Sequence, residues 1–183
     1  MVAPAAVRRA TWVAAALAAA IVIIVLAAHG RRPEPGLARF QPAGVMVEIP
    51  PDHVSEIVLS RGGQRWRFTR TAGAHWTAQG GPPTLADATQ ARLEQGLRFL
   101  HVSAPQRVMA REELSGTPLA ELGLDPPRFS VSVRPRGAEP VTVEFGVRNP
   151  QGLAQYAHRS GRDEILLLPS FVGEPWEDIT GDH

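Results

Sequence analysis

Residues 128–134 read Arg-Phe-Ser-Val-Ser-Val-Arg, in which apolar and polar side chains alternate without a break. Because successive side chains of a strand point to opposite faces, the three apolar residues would line one buried face. Gly137 then marks a turn, and residues 141–145 repeat the alternation as Val-Thr-Val-Glu-Phe. The two segments predict an antiparallel hairpin, and with it a domain built on a sheet.

The same period of two recurs on both sides of this hairpin, which predicts further strands. They are residues 45–49, 55–60, 65–69, 75–78, 155–159 and 164–168, with a short strand within 102–109. Between the two groups of strands, apolar residues recur at helical spacing from Thr84, the predicted N-terminal cap, to about His101. The acidic tail, 174–182, is predicted to be a short helix or a frayed end.

An uncharged segment, residues 10–28, precedes the domain. As a helix it would be about 28 Å long, close to the ~30 Å hydrocarbon core of a bilayer, and it predicts a transmembrane helix. The residues that would flank the membrane are Arg8, Arg9, Trp12, Arg31 and Arg32. A cleavable signal peptide, ending near Ala27 and Ala28, is the alternative. Both interpretations place the remaining chain outside the cytoplasm.

The predicted fold class is therefore α+β: an N-terminal transmembrane helix followed by an antiparallel-sheet domain with one main amphipathic helix between two meanders. Residues 1–9 would be a short cytoplasmic N-terminus and residues 10–28 the membrane helix. Residues 29–44, with three Pro and three Gly, would be a linker. Residues 45–183 would form the extracytoplasmic domain.

Composition excludes several kinds of chemistry. The 183 residues include no Cys, and all 19 basic residues are Arg. These counts exclude disulfides, thiol catalysis, Cys-ligated metals and lysine Schiff bases. Four arginines flank the predicted membrane helix, so the chain from Pro33 onward has 15 Arg against 18 acidic residues, a net charge of −3. A net negative domain argues against a nucleic-acid partner.

Motifs for catalysis, metal binding and cofactor binding are missing from the sequence. The six His residues are scattered, and no His-Glu-x-x-His, Gly-x-Ser-x-Gly or phosphate-loop pattern occurs. The carboxylate clusters at 112–113 and 174–178 are explained by solvated faces. We therefore expect no catalytic residue, no metal ligand and no cofactor, and a protein that is not an enzyme.

Residues 119–127 read Leu-Ala-Glu-Leu-Gly-Leu-Asp-Pro-Pro and are followed by an alternating strand. This segment resembles the signature of the domain-of-unknown-function 4340 family. Other features typical of that family match Trp66 and Trp76 in a hairpin, Ala86-Asp87 before a helix, and a late strand at 156–159. The resemblance spans about 54–172. It implies a membrane-anchored, extracytoplasmic accessory domain of bacteria with no catalytic residues. Some members of that family resemble, or are encoded beside, parts of ABC-type export and gliding-motility systems.

The most specific part of the resemblance is a structural motif of five residues. It consists of Gly123, Leu124, Asp125, Pro126 and Pro127. Gly123 can adopt the left-handed conformation that ends a helical turn, and the two prolines favour an extended exit into the next strand. Asp125 can bond to nearby backbone N–H groups. A structural role is therefore predicted for the motif.

One surface has the composition of an interaction site. The candidate residues surround Trp66 and Phe68 in the first hairpin and are Arg61, Arg65, Arg67 and Arg70. They could bind phospholipid headgroups, an acidic partner or nucleic acid. The alternative is an ordinary solvated strand, in which Arg65 and Arg67 point outward while the aromatic residues point inward.

These observations predict a single-pass protein of the bacterial inner membrane with a periplasmic or extracytoplasmic main domain. We expect a non-catalytic accessory or interaction subunit of a transport or envelope complex. Its partners would be the lipid bilayer, through the N-terminal helix, and membrane or envelope proteins, with no nucleic acid. The alternative is an envelope hydrolase or ligand-binding module with a carboxylate and His site.

Overall fold

The computed structural model describes residues 18–20, 44–72, 75–80, 85–114 and 116–181. The chain divides into two units, 1–41 and 42–183. Of the first unit, residues 18–20 are described, and they are helical.

Most of the predicted membrane helix lies outside the described residues. So do its predicted flanks, which are Arg8, Arg9, Trp12, Arg31 and Arg32, and the predicted linker apart from Gly44. In the described ranges, no helix has the length and apolar character needed to cross a membrane. The predicted fold class is wrong: the described chain is one antiparallel eight-stranded sheet with few helices, and it shows no transmembrane helix.

The described residues of the second unit form eight strands and two α-helices. The strands are β1 Val54–Arg61, β2 Gln64–Arg70, β3 Trp76–Ala78, β4 Arg107–Met109, β5 Phe129–Pro135, β6 Val141–Arg148, β7 Ala154–Arg159 and β8 Ile165–Pro169. The helices are α1 Asp87–Val102 and α2 Glu174–Ile179, with 3-10 turns at Pro51–His53, Arg111–Leu114 and Ser170–Val172.

The strands form a single sheet in the order β3-β2-β1-β5-β6-β7-β8-β4, with every neighbouring pair antiparallel. The sequence predicts two separate meanders. They are joined because β1 pairs with β2 on one side and with β5 on the other, where Leu59 lies opposite Val131. The short strand β4 pairs with β8 and forms the edge of the sheet opposite β3.

The main core lies between the inner face of the sheet and the two α-helices. Phe129, Val131 and Val133 are buried on this face, as their alternation predicts. Helix α1 contributes Leu93, Leu97 and Leu100, and α2 contributes Trp176. The predicted cap at Thr84 is wrong, because α1 begins at Asp87 and Ala86 is its N-cap.

The predicted strand at 45–49 is also wrong, since these residues form a turn. Val45, Met46 and Ile49 are buried, so burial does not follow a period of two. The turn packs against the C-terminal end of α1, where the Met46 N–H donates to the carbonyl oxygen of Leu100 at 2.9 Å. Gly44 is required there, because a Cβ would lie 1.7 Å from the carbonyl oxygen of His101.

An ion pair between Glu48 and Arg159 connects this turn to β7. A guanidinium N–H of Arg159 also donates to the carbonyl oxygen of Val45 at 2.9 Å. Burial raises the pKa of Glu48, but its own backbone N–H and Arg159 outweigh burial, and the pKa lies below the ordinary value of 4.5. The turn is therefore held in part by an ionised carboxylate.

We expect Glu48→Gln to remove a pH-dependent part of the stability. A carboxyl group whose pKa is lowered by folding stabilises the folded state at pH values above its ordinary pKa. This contribution disappears as the pH falls below about 4.5. The free energy of unfolding of the parent and the variant, measured between about pH 7 and pH 3, should therefore converge at the acidic end. Glu121→Gln, an exposed position, is the control. A constant gap between parent and Glu48→Gln would contradict the expectation.

A second, smaller cluster covers half of the outer face of the sheet, over β7, β8 and β4. Its buried members are Met109, Leu122, Leu124 and Ile165. The five-residue motif lies in this covering segment, and Gly123 has a φ of 65°, in the left-handed region where glycine is favoured. The Val147 N–H donates to the carbonyl oxygen of Leu122 at 2.8 Å, which attaches the segment to β6.

The other motif residues follow the same turn. Leu124 pairs with Pro127 in an isolated antiparallel bridge, and the Asp125–Pro126 peptide bond is cis. Asp125 is exposed, and within the described chain its carboxylate accepts no hydrogen bond, so its predicted bonding to the turn is not observed. The motif fixes the segment that covers β7 and β8, and the residues that the structure describes leave the outer face over β2, β1, β5 and β6 open.

Candidate functional site on the open face of the sheet

The open half of the outer face is a shallow groove of about 290 Å³. It crosses four strands, and the register brings Arg67 of β2, Val58 of β1, Ser132 of β5 and Thr142 of β6 into one row. Three arginines, four hydroxyls and one carboxylate line it: Arg65, Arg67, Arg134, Ser60, Ser130, Ser132, Thr142 and Glu56. The polar members are there because they alternate with the buried apolar residues of the same strands.

Glu56 is the one carboxylate among the residues that line the groove, and it bridges two arginines. Its Oε2 lies 3.3 Å from Nη1 of Arg67, and its Oε1 lies 3.5 Å from Nε of Arg134. Arg65 is exposed and forms no ion pair with any described residue. The three guanidinium groups and the single carboxylate therefore give the groove a net charge of +2.

The four arginines predicted as one surface lie on two faces of the sheet. Arg65 and Arg67 point outward into the groove, as the alternation predicts. Arg61 instead donates to Oγ1 of Thr180 at 3.2 Å, beside the C-terminal helix. Arg70 points into the core side, and its side chain is only 6% exposed. The predicted four-arginine surface is therefore wrong for Arg61 and Arg70.

Arg70 belongs to a buried structural cluster. Its Nη2 donates to Oε1 of Glu94 at 2.6 Å, and the same oxygen accepts the indole N–H of Trp76 at 2.7 Å. The Arg70 guanidinium carbon lies 4.5 Å from the centre of the Trp76 ring, a cation–π contact. The cluster joins β2, β3 and α1, and it gives Arg70 a role in packing.

Arg134, like Glu56, is a groove residue that the sequence did not single out. It has the same parity as Ser130 and Ser132, so its outward direction could be read from the alternation of β5. Its position beside Glu56 could not be predicted from this alternation, because it depends on the pairing of β1 with β5, two strands separated by more than 60 residues. The sequence of residues 128–134 therefore predicts the outward direction of Arg134 but not its partner.

His and carboxylate residues do not gather into a metal site in the described ranges. Nδ1 of His158 lies 2.9 Å from Oε2 of Glu144, and its Nε2 lies 2.7 Å from the carbonyl oxygen of Arg162. In the acidic tail, Glu177 pairs with Arg148 at 2.5 Å and Asp178 pairs with Arg92 at 3.1 Å. These groups are engaged in structural ion pairs and hydrogen bonds.

A second cleft, of about 510 Å³, opens at the end of the sheet between the 48–53 segment and the β5–β6 turn. Its wall is mainly apolar and includes Ile49, Pro50, Pro135 and Val141. Glu48 at its rim is already paired with Arg159. Its lining also includes His53, Arg136 and Glu139. These ionisable groups are of mixed charge, whereas the groove on the open face has an excess of arginines, so the groove is the stronger candidate for binding a charged partner.

Comparisons with known proteins show no relative of this chain: no family model, no curated protein and no solved structure matches it. The resemblance to the domain-of-unknown-function 4340 family stays a prediction from the motif at 123–127.

Proposed function

We propose that this chain is a non-catalytic interaction domain, an accessory subunit that binds an acidic surface of another protein through the open face of its sheet. The observation that carries the proposal is the charge of the groove, where Arg65, Arg67 and Arg134 face a single carboxylate, Glu56. Arginines are enriched in protein interfaces, and complementary charge directs the choice of partner. The envelope location and the contact with a bilayer stay predictions from the sequence.

The form of the groove supports a protein partner. The two halves of the outer face differ: the segment before β5 covers one half with apolar contacts, and the described part of the chain leaves the other half open. Ser60, Ser130, Ser132 and Thr142 supply hydroxyl groups that can donate or accept hydrogen bonds. Such a surface can bind main-chain groups as well as carboxylates.

The proposal is tested by capturing partners with the full chain from detergent-solubilised bacterial membranes. We expect a stoichiometric partner whose affinity for the Arg65→Ala/Arg67→Ala variant is about tenfold weaker, because two exposed ion pairs contribute about 0.7 kcal/mol each. Raised salt should weaken binding to the parent more than to the variant.

The matched control is Arg98→Ala/Arg162→Ala, which removes the same charge from exposed positions on α1 and in the β7–β8 turn. This control should retain the partner. Equal capture by the parent and by Arg65→Ala/Arg67→Ala would exclude the open face as the site. Failure of the parent to capture any stoichiometric partner would overturn the accessory role.

A further inference from the structure

We infer that Glu56 occupies the position of a partner carboxylate, and that the open face binds an extended acidic segment with carboxylates at alternate residues. This inference rests on the proposed function, because it names the partner chemistry of the same groove. It adds two points. Glu56, a residue of the sheet itself, competes with the partner for the arginines, and the carboxylates of the partner must match the spacing of Arg65 and Arg67.

The first step is the arrangement of the two ion pairs of Glu56. Each carboxylate oxygen faces a different guanidinium group, at 3.3 Å for Arg67 and 3.5 Å for Arg134. The usual range for charge-assisted hydrogen bonds is about 2.7–2.9 Å, and the buried pair of Arg70 and Glu94, at 2.6 Å, lies just below it. Glu56 therefore holds the two arginines at a spacing that accepts one carboxylate, through contacts that are longer than this range.

The second step is the spacing along β2. Arg65 and Arg67 are two residues apart and point to the same face, so their Cα atoms are separated by about 6.7 Å. Alternate residues of an extended peptide have the same separation. An acidic residue paired with Arg65 would therefore bring the next carboxylate, two residues further along the peptide, to Arg67, where it would compete with Glu56.

The third step is the choice among anionic partners. No residue that lines the groove is aromatic, so the face lacks the stacking platform that single-stranded nucleic acids use. The groove crosses four strands, and the side chains of Arg67 and Arg134 are 43% and 46% exposed, so both remain accessible beside their contacts with Glu56. An extended acidic protein segment therefore suits this shallow, hydroxyl-lined surface better than a base-bearing chain.

The test uses the full chain and fluorescently labelled peptides whose binding is measured by fluorescence polarisation at low salt. One peptide has six Glu-Ser repeats, and the other has six Glu-Ser-Ser repeats, so the two carry equal charge at different spacing. We expect the alternating peptide to bind more tightly. We also expect Glu56→Gln to bind it about three- to tenfold more tightly than the parent, since two arginines are released from an internal pair.

Two further variants keep the result interpretable. Glu174→Gln removes the same charge from α2, on the opposite side of the sheet, and should bind like the parent. Arg134→Gln removes one of the arginines that Glu56 holds and should bind more weakly. If Glu56→Gln does not fold, as judged by circular dichroism and an unfolding midpoint, the preference of the parent for the alternating peptide, and its loss in Arg134→Gln, still test the inference.

Several outcomes would overturn the inference. Equal affinities of the parent and Glu56→Gln would remove the role of Glu56, and equal affinities for the two peptides would remove the spacing. Tighter binding to an oligothymidine strand or to phosphatidylglycerol vesicles would assign the groove to another class of partner. If neither peptide binds but an arginine-dependent protein partner is captured, the inference fails while the proposed function stands.

Discussion

Replacing Glu94 by alanine is expected to lower the free energy of unfolding by about 3 kcal/mol. One oxygen of Glu94 accepts hydrogen bonds from Arg70, at 2.6 Å, and from the indole N–H of Trp76, at 2.7 Å. Arg70 is only 6% exposed, so the variant would leave a buried cation without a carboxylate. Glu94 itself is 32% exposed, which allows some solvent access and places the cost at the lower end for a broken buried pair.

Urea denaturation of the parent and of Glu94→Ala measures this loss, with the exposed Glu121→Ala as the control. A double variant, Arg70→Met/Glu94→Leu, should be more stable than Glu94→Ala, because it removes the buried charge together with its partner. The indole N–H of Trp76 would still lack its acceptor, so full recovery is not expected. A loss below about 1 kcal/mol for Glu94→Ala would show that Arg70 is not buried in the way described.

The alternation of residues along β2 predicts part of this arrangement, namely the inward direction of Arg70. Trp66 and Phe68 point inward, and Arg70 has the same parity, so the alternation already indicates an inward arginine. Nearness in sequence alone does not place the four arginines on one face. The acceptor could not be predicted, because Glu94 lies on α1 and its approach to β2 depends on how the helix packs on the sheet.

Local periodicity predicted the strands well where one face is buried along their whole length. Residues 128–134 are such a case, and the neighbouring β6 also follows its predicted alternation. Residues 45–49 have a similar pattern but form a turn, because contacts with the end of α1 decide which of them are buried. Local sequence does not contain that contact.

The open face could be predicted only in part. The outward direction of Arg65 and Arg67 follows from alternation with aromatic residues. The groove also needs Arg134 and Glu56, which meet only because β5 pairs with β1. Strand order is set by long-range pairing, whose loop-closure cost and packing are not visible in a short window of sequence. The site is therefore a property of the sheet topology more than of any motif.

Replacing Trp176 by alanine is expected to cost about 4 kcal/mol of stability, in the range for removing a fully buried tryptophan. Trp176 is 0% exposed and belongs to the main core, although it lies in the acidic tail, for which the sequence predicted a short helix or a frayed end. A six-residue helix has little stability of its own, so α2 is held by this side chain and by its packing against α1.

Gly96 on α1 makes this contact possible. It also allows a second test, because helix propensity and packing predict opposite effects on stability when Gly96 is replaced by alanine. In an exposed helix, glycine to alanine would stabilise by about 1 kcal/mol. At Gly96, a Cβ would lie 2.4 Å from Cζ2 of Trp176, so Gly96→Ala should instead destabilise by about 1–3 kcal/mol. A stabilised Gly96→Ala protein would contradict the packing of α2 on α1.

The Trp176→Phe variant distinguishes the stability that comes from apolar burial of Trp176 from any that comes from a hydrogen bond of its indole N–H. The indole N–H of Trp176 is buried without a partner in the described part of the chain, so its removal costs no hydrogen bond there. Phenylalanine keeps most of the apolar burial, and we expect a loss of about 1 kcal/mol, well below that of alanine. Thermal or urea unfolding of the three variants would order them as Trp176→Phe, Gly96→Ala and Trp176→Ala, from least to most destabilised. If Trp176→Ala unfolded like the parent, the tail would not be part of the core.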